Sequence, residues 1–328
     1  LSCLYIGVHQ VSRGLLDGAN LALVGFAVLA SFEALSPLPL AYQYLGQTKK
    51  AAERLLEIVH APPLVVFPDF SSTPMERFHI HFNRVDFRYG DADPWVLEGF
   101  DLHIEQGRRV AILGSTGAGK STLFNLLVRF WNPTKGCIQI GGHDLETFTE
   151  SDLRQAIGVV SQQTHLFQTS LRENLLMARS RANEAALNAA LEKAQLLDWV
   201  KALPKGLDTW IGEAGSGLSG GQARRLGLAR MFLQDAPIWV LDEPTEGLDM
   251  ITERKVMQAL FQAAQDRTLL VITHRTSHLE QFDDVILMEQ GRIIAQGKHD
   301  VLLRASEKYG ELVNKGSKGS RIQGSEGG

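Results

Sequence analysis

The sequence predicts an α/β domain set behind a short apolar helical segment, and three observations predict it. A short apolar run, Val110-Ala111-Ile112-Leu113, leads into Gly114-Ser115-Thr116-Gly117-Ala118-Gly119-Lys120-Ser121 and then a helical-looking stretch at 122–131. A second apolar run, Ile238-Trp239-Val240-Leu241, stops at Asp242-Glu243. Ahead of both, residues 18–46 carry Glu33 as their one charge.

Composition bounds the class. The chain has 328 residues, room for roughly two domains. It is 44% hydrophobic and 21% charged, which excludes a disordered or fibrous chain. The net charge of −4 gives no basic excess, so nucleic acid is not expected as the main partner. Two cysteines, Cys3 and Cys137, cannot build a disulfide framework or a cysteine-rich zinc site. A mean hydropathy of −0.06 is too polar for a wholly embedded protein but allows one or two spans. The first residue is Leu1, not Met, and no basic stretch precedes an apolar core; this reads as a piece of a longer protein.

Residues 1–60 read as the end of a membrane domain. About 20 apolar residues cross a hydrocarbon core, and the 18–46 stretch is long enough. Pro37 and Pro39 are expected to kink it, which membrane helices tolerate. Lys49, Lys50 and Arg54 follow, and their placement puts that end in the cytoplasm. Residues 1–8 read as the tail of a preceding span, and 9–20 as a short outside loop. Glu33, a costly charge in such a place, either lines a path through the bundle or sits at an interface or helix contact. The competing reading is a buried helix of a soluble domain, which Glu33, Gln43 and the prolines favour. Residues 61–77, with Pro62, Pro63, Pro68 and Pro74, read as a linker.

The soluble unit is expected over 78–313. Alternation at 78–87 predicts a half-exposed strand. The 114–121 run fits G-x-x-x-x-G-K-[ST] between strand and helix, the arrangement of a phosphate-binding loop. Its glycines let the backbone curl until several N–H groups converge, and the helix N-terminus adds partial positive charge. Lys120 then supplies a point charge to the β/γ-phosphates, and the Ser121 hydroxyl suits Mg²⁺. Asp242, ending a buried strand, is the matching Mg²⁺ carboxylate. Glu243, one residue on, is placed to polarise a water. Leu218-Ser219-Gly220-Gly221-Gln222 precedes a helical 223–233 holding Arg224, Arg225 and Arg230. A serine and two glycines at a helix start form a second anion-binding cap. Simple capping would account for Ser219, but not for the whole pentapeptide.

Together, Gly114–Ser121, Leu218–Gln222 and Leu241-Asp242-Glu243-Pro244 resemble the ATPase domain of ABC transporters, and the preceding helix resembles the last membrane helix of an exporter half. The resemblance implies a P-loop NTPase fold with a mixed sheet and a helical subdomain, following one or two transmembrane helices. It implies ATP and Mg²⁺ as ligands, with Thr122 completing the loop. By resemblance Tyr89 stacks on adenine, Gln162 touches Mg²⁺ or water and links the site to the membrane part, and His274 contacts the γ-phosphate. Glu213, in Gly212-Glu213, matches a contact to the membrane domain, and Asp249 a residue of the dimer interface.

The finer resemblance is to the CydC branch of these exporters, on Glu243-Pro244-Thr245-Glu246-Gly247-Leu248-Asp249 and the 222–230 run. Most relatives carry small residues where Glu246-Gly247 stands. This branch implies a heterodimer with a CydD-like second half in the bacterial inner membrane, multi-pass, with the nucleotide-binding domain cytoplasmic. It implies contact with membrane lipid, export of a thiol such as glutathione or cysteine, and support of cytochrome bd assembly. Haem is linked to the branch, but no C-x-x-C-H or other haem ligand is evident. The rival readings are a soluble ABC ATPase, a non-hydrolysing regulatory subunit, a P-loop kinase, or an exporter half with a lipid or drug cargo. Cys137 reads as a packed strand residue, and 314–328, rich in Gly and Ser, as a disordered tail.

Overall fold

The computed structural model describes residues 2–212 and 217–322, in two compact units, 1–63 and 64–328. The smaller unit is helical: α1 (Ser2–Ser12), α2 (Gly18–Leu35) and α3 (Pro37–His60). The outside loop expected at 9–20 is shorter than that. Helix α1 runs on to Ser12, and Asp17 caps α2 by accepting from Gly18 N–H at 2.9 Å. The α2 segment, 18 residues long, spans roughly 27 Å. Pro37 removes a backbone donor at the junction, and Ser36 N–H bonds both Phe32 O (3.1 Å) and Glu33 O (3.2 Å). The chain passes the proline in helical geometry, with Ser36 at φ −55° and ψ −36°. Residues 18–60 are long and apolar enough to cross a membrane, and no residue of α2 or α3 is buried within the protein.

The larger unit opens with β1 (Ile80–Phe87), β2 (Leu97–Ile104), β3 (Arg109–Gly114), α4 (Lys120–Leu127), β4 (Lys135–Ile140) and β5 (His143–Asp144). It continues through α5 (Glu150–Ala156), β6 (Ile157–Val160), α6 (Leu171–Leu176), α7 (Glu184–Lys193), α8 (Leu197–Ala202) and α9 (Gly220–Leu233). The rest is β7 (Ile238–Asp242), α10 (Met250–Ala263), β8 (Thr268–Ile272), β9 (Asp284–Glu289), β10 (Arg292–Gly297), α11 (His299–Ala305) and α12 (Glu307–Ile322).

Two sheets form. An antiparallel one has the order β2-β1-β4-β5, and a six-stranded one the order β10-β9-β3-β8-β7-β6. The latter is parallel except for β10 at its edge. Its strands read as unbroken apolar runs because both faces are covered. Val110, Ile112, Val240 and Leu270 point toward the antiparallel sheet and pack with Phe82 and Phe100. Ala111, Leu113, Trp239, Leu241 and Val271 point to the helices. Helices α6 to α9 form a lobe beside the sheet, in which Leu187 and Leu191 of α7 are fully buried, stabilising it by about 1.5–3 kcal/mol each.

The register aims the site. Val160 pairs with Leu241, Leu241 with Val271, and Ala111 with Val271. The C-terminal ends of β6, β7, β8 and β3 therefore lie side by side, and a ligand seat belongs there in an open α/β sheet.

Four boundaries differ from the sequence expectation. Helix α4 starts at Lys120 and stops at Leu127, because Arg129 takes a left-handed φ of 57°. Helix α9 starts at Gly220, three residues early, under the Ser219 cap. The segment after Pro63, read as linker, is pinned to the larger unit. Val66 O accepts from Arg129 at 3.0 Å, and the Phe67 ring lies 4.4 Å from the Arg129 guanidinium. The tail expected to be disordered from 314 is helical to Ile322, since α12 is nucleated by the buried Tyr309 and extending a helix costs less than starting one. Cys137 lies half-buried in β4 as a free thiol.

Candidate nucleotide site

The loop between β3 and α4 has the backbone that a phosphate cradle requires. Gly117 (φ 83°) and Gly119 (φ 94°) lie in the left-handed region. A Cβ on Gly119 would sit 3.2 Å from Val96 O and 3.1 Å from a Leu97 methyl. A Cβ on Gly114 would crowd Met288 O. Between them Ala118 is buried, and its N–H bonds Ser115 O at 3.1 Å; Thr116 is the exposed tip.

Lys120 folds back over this loop, and its Nζ donates to Gly114 O at 2.8 Å and Ser115 O at 2.9 Å. Burial pushes its pKa down, against the nearby Glu243 and Asp242 carboxylates, which pull it up. An ammonium hydrogen-bonded to carbonyl oxygens can exchange them for phosphate oxygens, which bind it more strongly.

Ser121 Oγ donates to Asp242 Oδ2 at 3.1 Å. Asp242 is buried, and burial raises its pKa while the Ser121 bond opposes the rise. A hydroxyl and a carboxylate meeting here are a hard-oxygen donor pair that suits Mg²⁺, which keeps several waters and takes one or two protein oxygens. Among the described residues no three His, Cys, Asp or Glu gather as a metal cage.

Glu243 leaves the strand end with φ 51°, uncommon for a residue with a side chain. Its N–H bonds Ile272 O at 2.8 Å, so the turn is stitched to β8. Its carboxylate is buried, with His274 Nδ1 at 2.8 Å and Thr273 Oγ1 at 3.3 Å. The His274 side chain is 61% exposed, and the rest of its ring faces outward.

Tyr89 follows β1. Its hydroxyl meets Thr122 Oγ1 at 3.1 Å, and its ring stands edge-on to Phe87 (4.9 Å) and Trp131 (5.1 Å). The ring is fixed and still 41% exposed, as a stacking platform must be. Trp131 was not singled out in the sequence; its aromatic character beside the loop helix is the available signal.

Gln162 lies two residues past β6 and is exposed; its carbonyl accepts from Arg224 Nη2 at 2.6 Å. The Leu218–Gln222 cap forms a reciprocal box: Ser219 Oγ accepts from Gln222 N–H at 3.2 Å, and Gln222 Oε1 from Ser219 N–H at 2.9 Å. Gly220 has open space around it, while Gly221 packs on Gly247 and Leu248. Leu218 is half-buried against the helical core. Asp249 caps α10, accepting from Ile251 and Thr252 N–H at 3.0 and 2.9 Å, and bonds to Thr252 hold its carboxyl below the usual range. Glu213 lies outside the described residues.

Arg224 and Glu246 stand 22 residues apart, with no local pattern that pairs them, yet they meet in the fold. Arg224 Nη2 lies 3.2 Å from Glu246 Oε2. No local pattern marks the open groove beside β6 either, lined by Val128, Phe130, Val159, Met177, Arg154 and Arg179.

Residues 97–246 match the family described as ABC transporter. Over 292 residues the chain is 41% identical to the glutathione/L-cysteine transport system ATP-binding/permease protein CydC of Escherichia coli (strain K12). The match covers 89% of this chain and 51% of that protein. It is also 41% identical over 265 residues to an ATP-dependent lipid A-core flippase of Alkalilimnicola ehrlichii, covering 80% of this chain and 44% of the flippase. A solved bacterial Atm1-family ABC exporter with ATP bound superposes with a TM-score of 0.76 at 33% identity, covering 96% of this chain and 55% of the exporter chain. The chain spans about half the length of the curated relatives it matches.

Proposed function

Because the chain carries the ATP-binding domain of the ABC transporter family, we propose that it is the ATP-hydrolysing half of a heterodimeric, CydC-like exporter, with a thiol such as glutathione or cysteine as cargo. The observation that carries the hydrolytic part is the joining of Glu243, His274, Asp242 and Ser121 at adjacent strand ends.

The chemistry follows from that arrangement. Tyr89 offers its ring to the base, and backbone N–H groups of 117–122 with Lys120 receive the phosphates. Ser121 and Asp242 would hold Mg²⁺, with Gln162 assigned to it by resemblance, and the ion would supply positive charge against the phosphates. Glu243 orients a water for in-line attack, and His274 spans the carboxylate and the γ-phosphate. The Ser219–Gly221 cap, which opens away from its own helix, closes over the γ-phosphate bound by the partner half, whose own cap closes this site. ATP then favours the closed pair because it touches both halves only there. Hydrolysis releases the contact. By resemblance, Gln162 and Glu213 are the residues through which closure would be passed to the membrane helices.

Residues 18–60 and the Lys49, Lys50, Arg54 cluster support placement in the bacterial inner membrane with this domain in the cytoplasm. The thiol cargo rests on the CydC relatives, and cytochrome bd assembly goes with it. A lipid cargo is the second reading, because a lipid A-core flippase is as similar in identity. ATP-driven uptake of labelled glutathione into inside-out vesicles holding both halves tests the first. Uptake that Glu243→Gln abolishes supports it; ATP turnover stimulated by lipid A core, with no glutathione uptake, replaces it with the second.

A further inference from the structure

We propose that Arg224 and Glu246 form a positioning pair that ties the helix of the serine–glycine cap to the hydrolytic carboxylate of the same chain. The inference rests on the hydrolytic reading above and goes beyond it. Arg224 sits on the second turn of α9, only 12% exposed, and its guanidinium reaches three acceptors on two segments, the loop after β6 and the turn after β7. Nη1 donates to the carbonyl of Glu243. Nη2 donates to Gln162 O at 2.6 Å and Glu246 Oε2 at 3.2 Å. A guanidinium holds its donors in one rigid plane, so three acceptors bound to it cannot shift independently.

The Glu243 carbonyl is the significant acceptor. Glu243 holds a left-handed φ, a conformation that persists only when its surroundings fix it. Its carbonyl takes two donors, Arg224 Nη1 and Glu246 N–H, the latter at 3.2 Å. Arg224 therefore fixes the backbone that aims the Glu243 carboxylate at His274. Glu246 in turn supplies the charge that a mostly buried guanidinium needs. Gly247 (φ 76°) lets the chain turn immediately after it, and Gly221 of α9 packs on that same turn.

The consequence is a mechanical link. When α9 moves to present Ser219 and Gly220 to the partner's nucleotide, Arg224 carries the backbones of Glu243 and Gln162 with it. Capping the partner's ATP and arming this chain's own site become one event. A small residue at 246 would leave the guanidinium without its counter-charge and the link slack.

The test is ATP turnover by the two-half assembly in lipid, with the partner's hydrolytic carboxylate removed so that only this chain's site reports. Arg224→Gln is expected to lower kcat about ten-fold or more, with KM for ATP moving less than about three-fold, because Tyr89 and Lys120 are untouched. Arg224→Lys recovers part of the loss, and Glu246→Gln costs several-fold. The double variant R224Q/E246Q falls no further than R224Q alone, as groups acting as one unit behave. Unchanged kcat in both single variants, losses that multiply in the double variant, or a kcat loss matched by a rise in KM overturns the pair. No turnover in the assembly with Arg224 and Glu246 intact overturns the hydrolytic reading itself, and the pair's role with it.

Discussion

The Nδ1 of His274 lies 2.8 Å from Oε1 of Glu243, across the gap between the ends of β8 and β7. The contact gives the buried carboxylate a polar partner on its open side and leaves most of the imidazole exposed. Glu243→Gln keeps the shape and removes the acceptor charge. Turnover at this site is expected to fall by about 10²–10⁴-fold, the range for a positioned acid–base group, with ATP still bound. His274→Ala is expected to fall by a similar order. Single-turnover hydrolysis together with nucleotide binding by the same preparation checks both halves of this expectation.

Lys120 bonds two carbonyls of its own loop, those of Gly114 and Ser115. Lys120→Met removes the charge proposed to serve the nucleotide and leaves Gly114 O and Ser115 O to water. Nucleotide affinity is expected to drop ten-fold or more, since a charge-assisted bond contributes about 1.5–3 kcal/mol. The melting temperature without nucleotide is expected to change by a few degrees at most. Titration with a fluorescent ATP analogue and a thermal melt of the same sample measure the two.

Gly119 makes the sharpest steric prediction. Its φ of 94° costs a side-chain-bearing residue about 1–2 kcal/mol, and the added Cβ meets Val96 O, a backbone atom that cannot swing aside. Gly119→Ala is expected to destabilise the domain by a few kcal/mol and to abolish ATP binding. Gly220→Ala, with open space around it, is expected to leave stability nearly unchanged and to act only when the partner half is present. Denaturant unfolding compared with turnover of the assembly separates the two glycines.

These contrasts show what the sequence made legible. The phosphate loop, the Asp242-Glu243 strand end and the Ser219 cap are local patterns, each read within about ten residues, and parallel strand register then brings their ends together. Arg224 was not legible in the same way. Its acceptors lie 62, 22 and 19 residues away, and no local rule pairs an arginine with two carbonyls. Helix ends were displaced for a related reason: Arg129 ends α4 by turning left-handed, and what holds it is Val66 and Phe67, in a segment that proline content marked as free linker.

Arg109 and Asp283 give a pH prediction away from the site. Burial of Asp283 raises its pKa, but the side-chain and backbone bonds from Arg109 outweigh it and hold the carboxyl below its usual value. Arg109 Nη2 and Nε reach Asp283 at 2.9 and 3.2 Å. A carboxylate depressed in the folded state contributes stability above its unfolded pKa and loses it as pH falls through the folded value. The loss therefore begins near pH 4 and grows below it. Asp283→Asn is expected to lower stability at pH 7 and to flatten this acid limb, so that its melting curves and those of the parent chain converge toward pH 3. Curves that stay parallel to pH 3 would show the pair to be unimportant.

Tyr89 separates stacking from hydrogen bonding. Tyr89→Phe keeps the ring edge-on to Phe87 and Trp131 and loses the bond to Thr122. Because that hydroxyl is part-exposed, water replaces the bond, and KM for ATP is expected to stay within about two-fold. Tyr89→Ala removes the platform. Base stacking is worth about 1–3 kcal/mol, so KM is expected to rise roughly 5- to 150-fold, with kcat little changed because the hydrolytic carboxylate is untouched. A purine without an amino group, such as ITP, should lose as much as ATP does in Tyr89→Ala, since a ring face recognises any base. Equal KM values for the parent and Tyr89→Ala would place the adenine elsewhere and leave this ring a packing residue for Trp131.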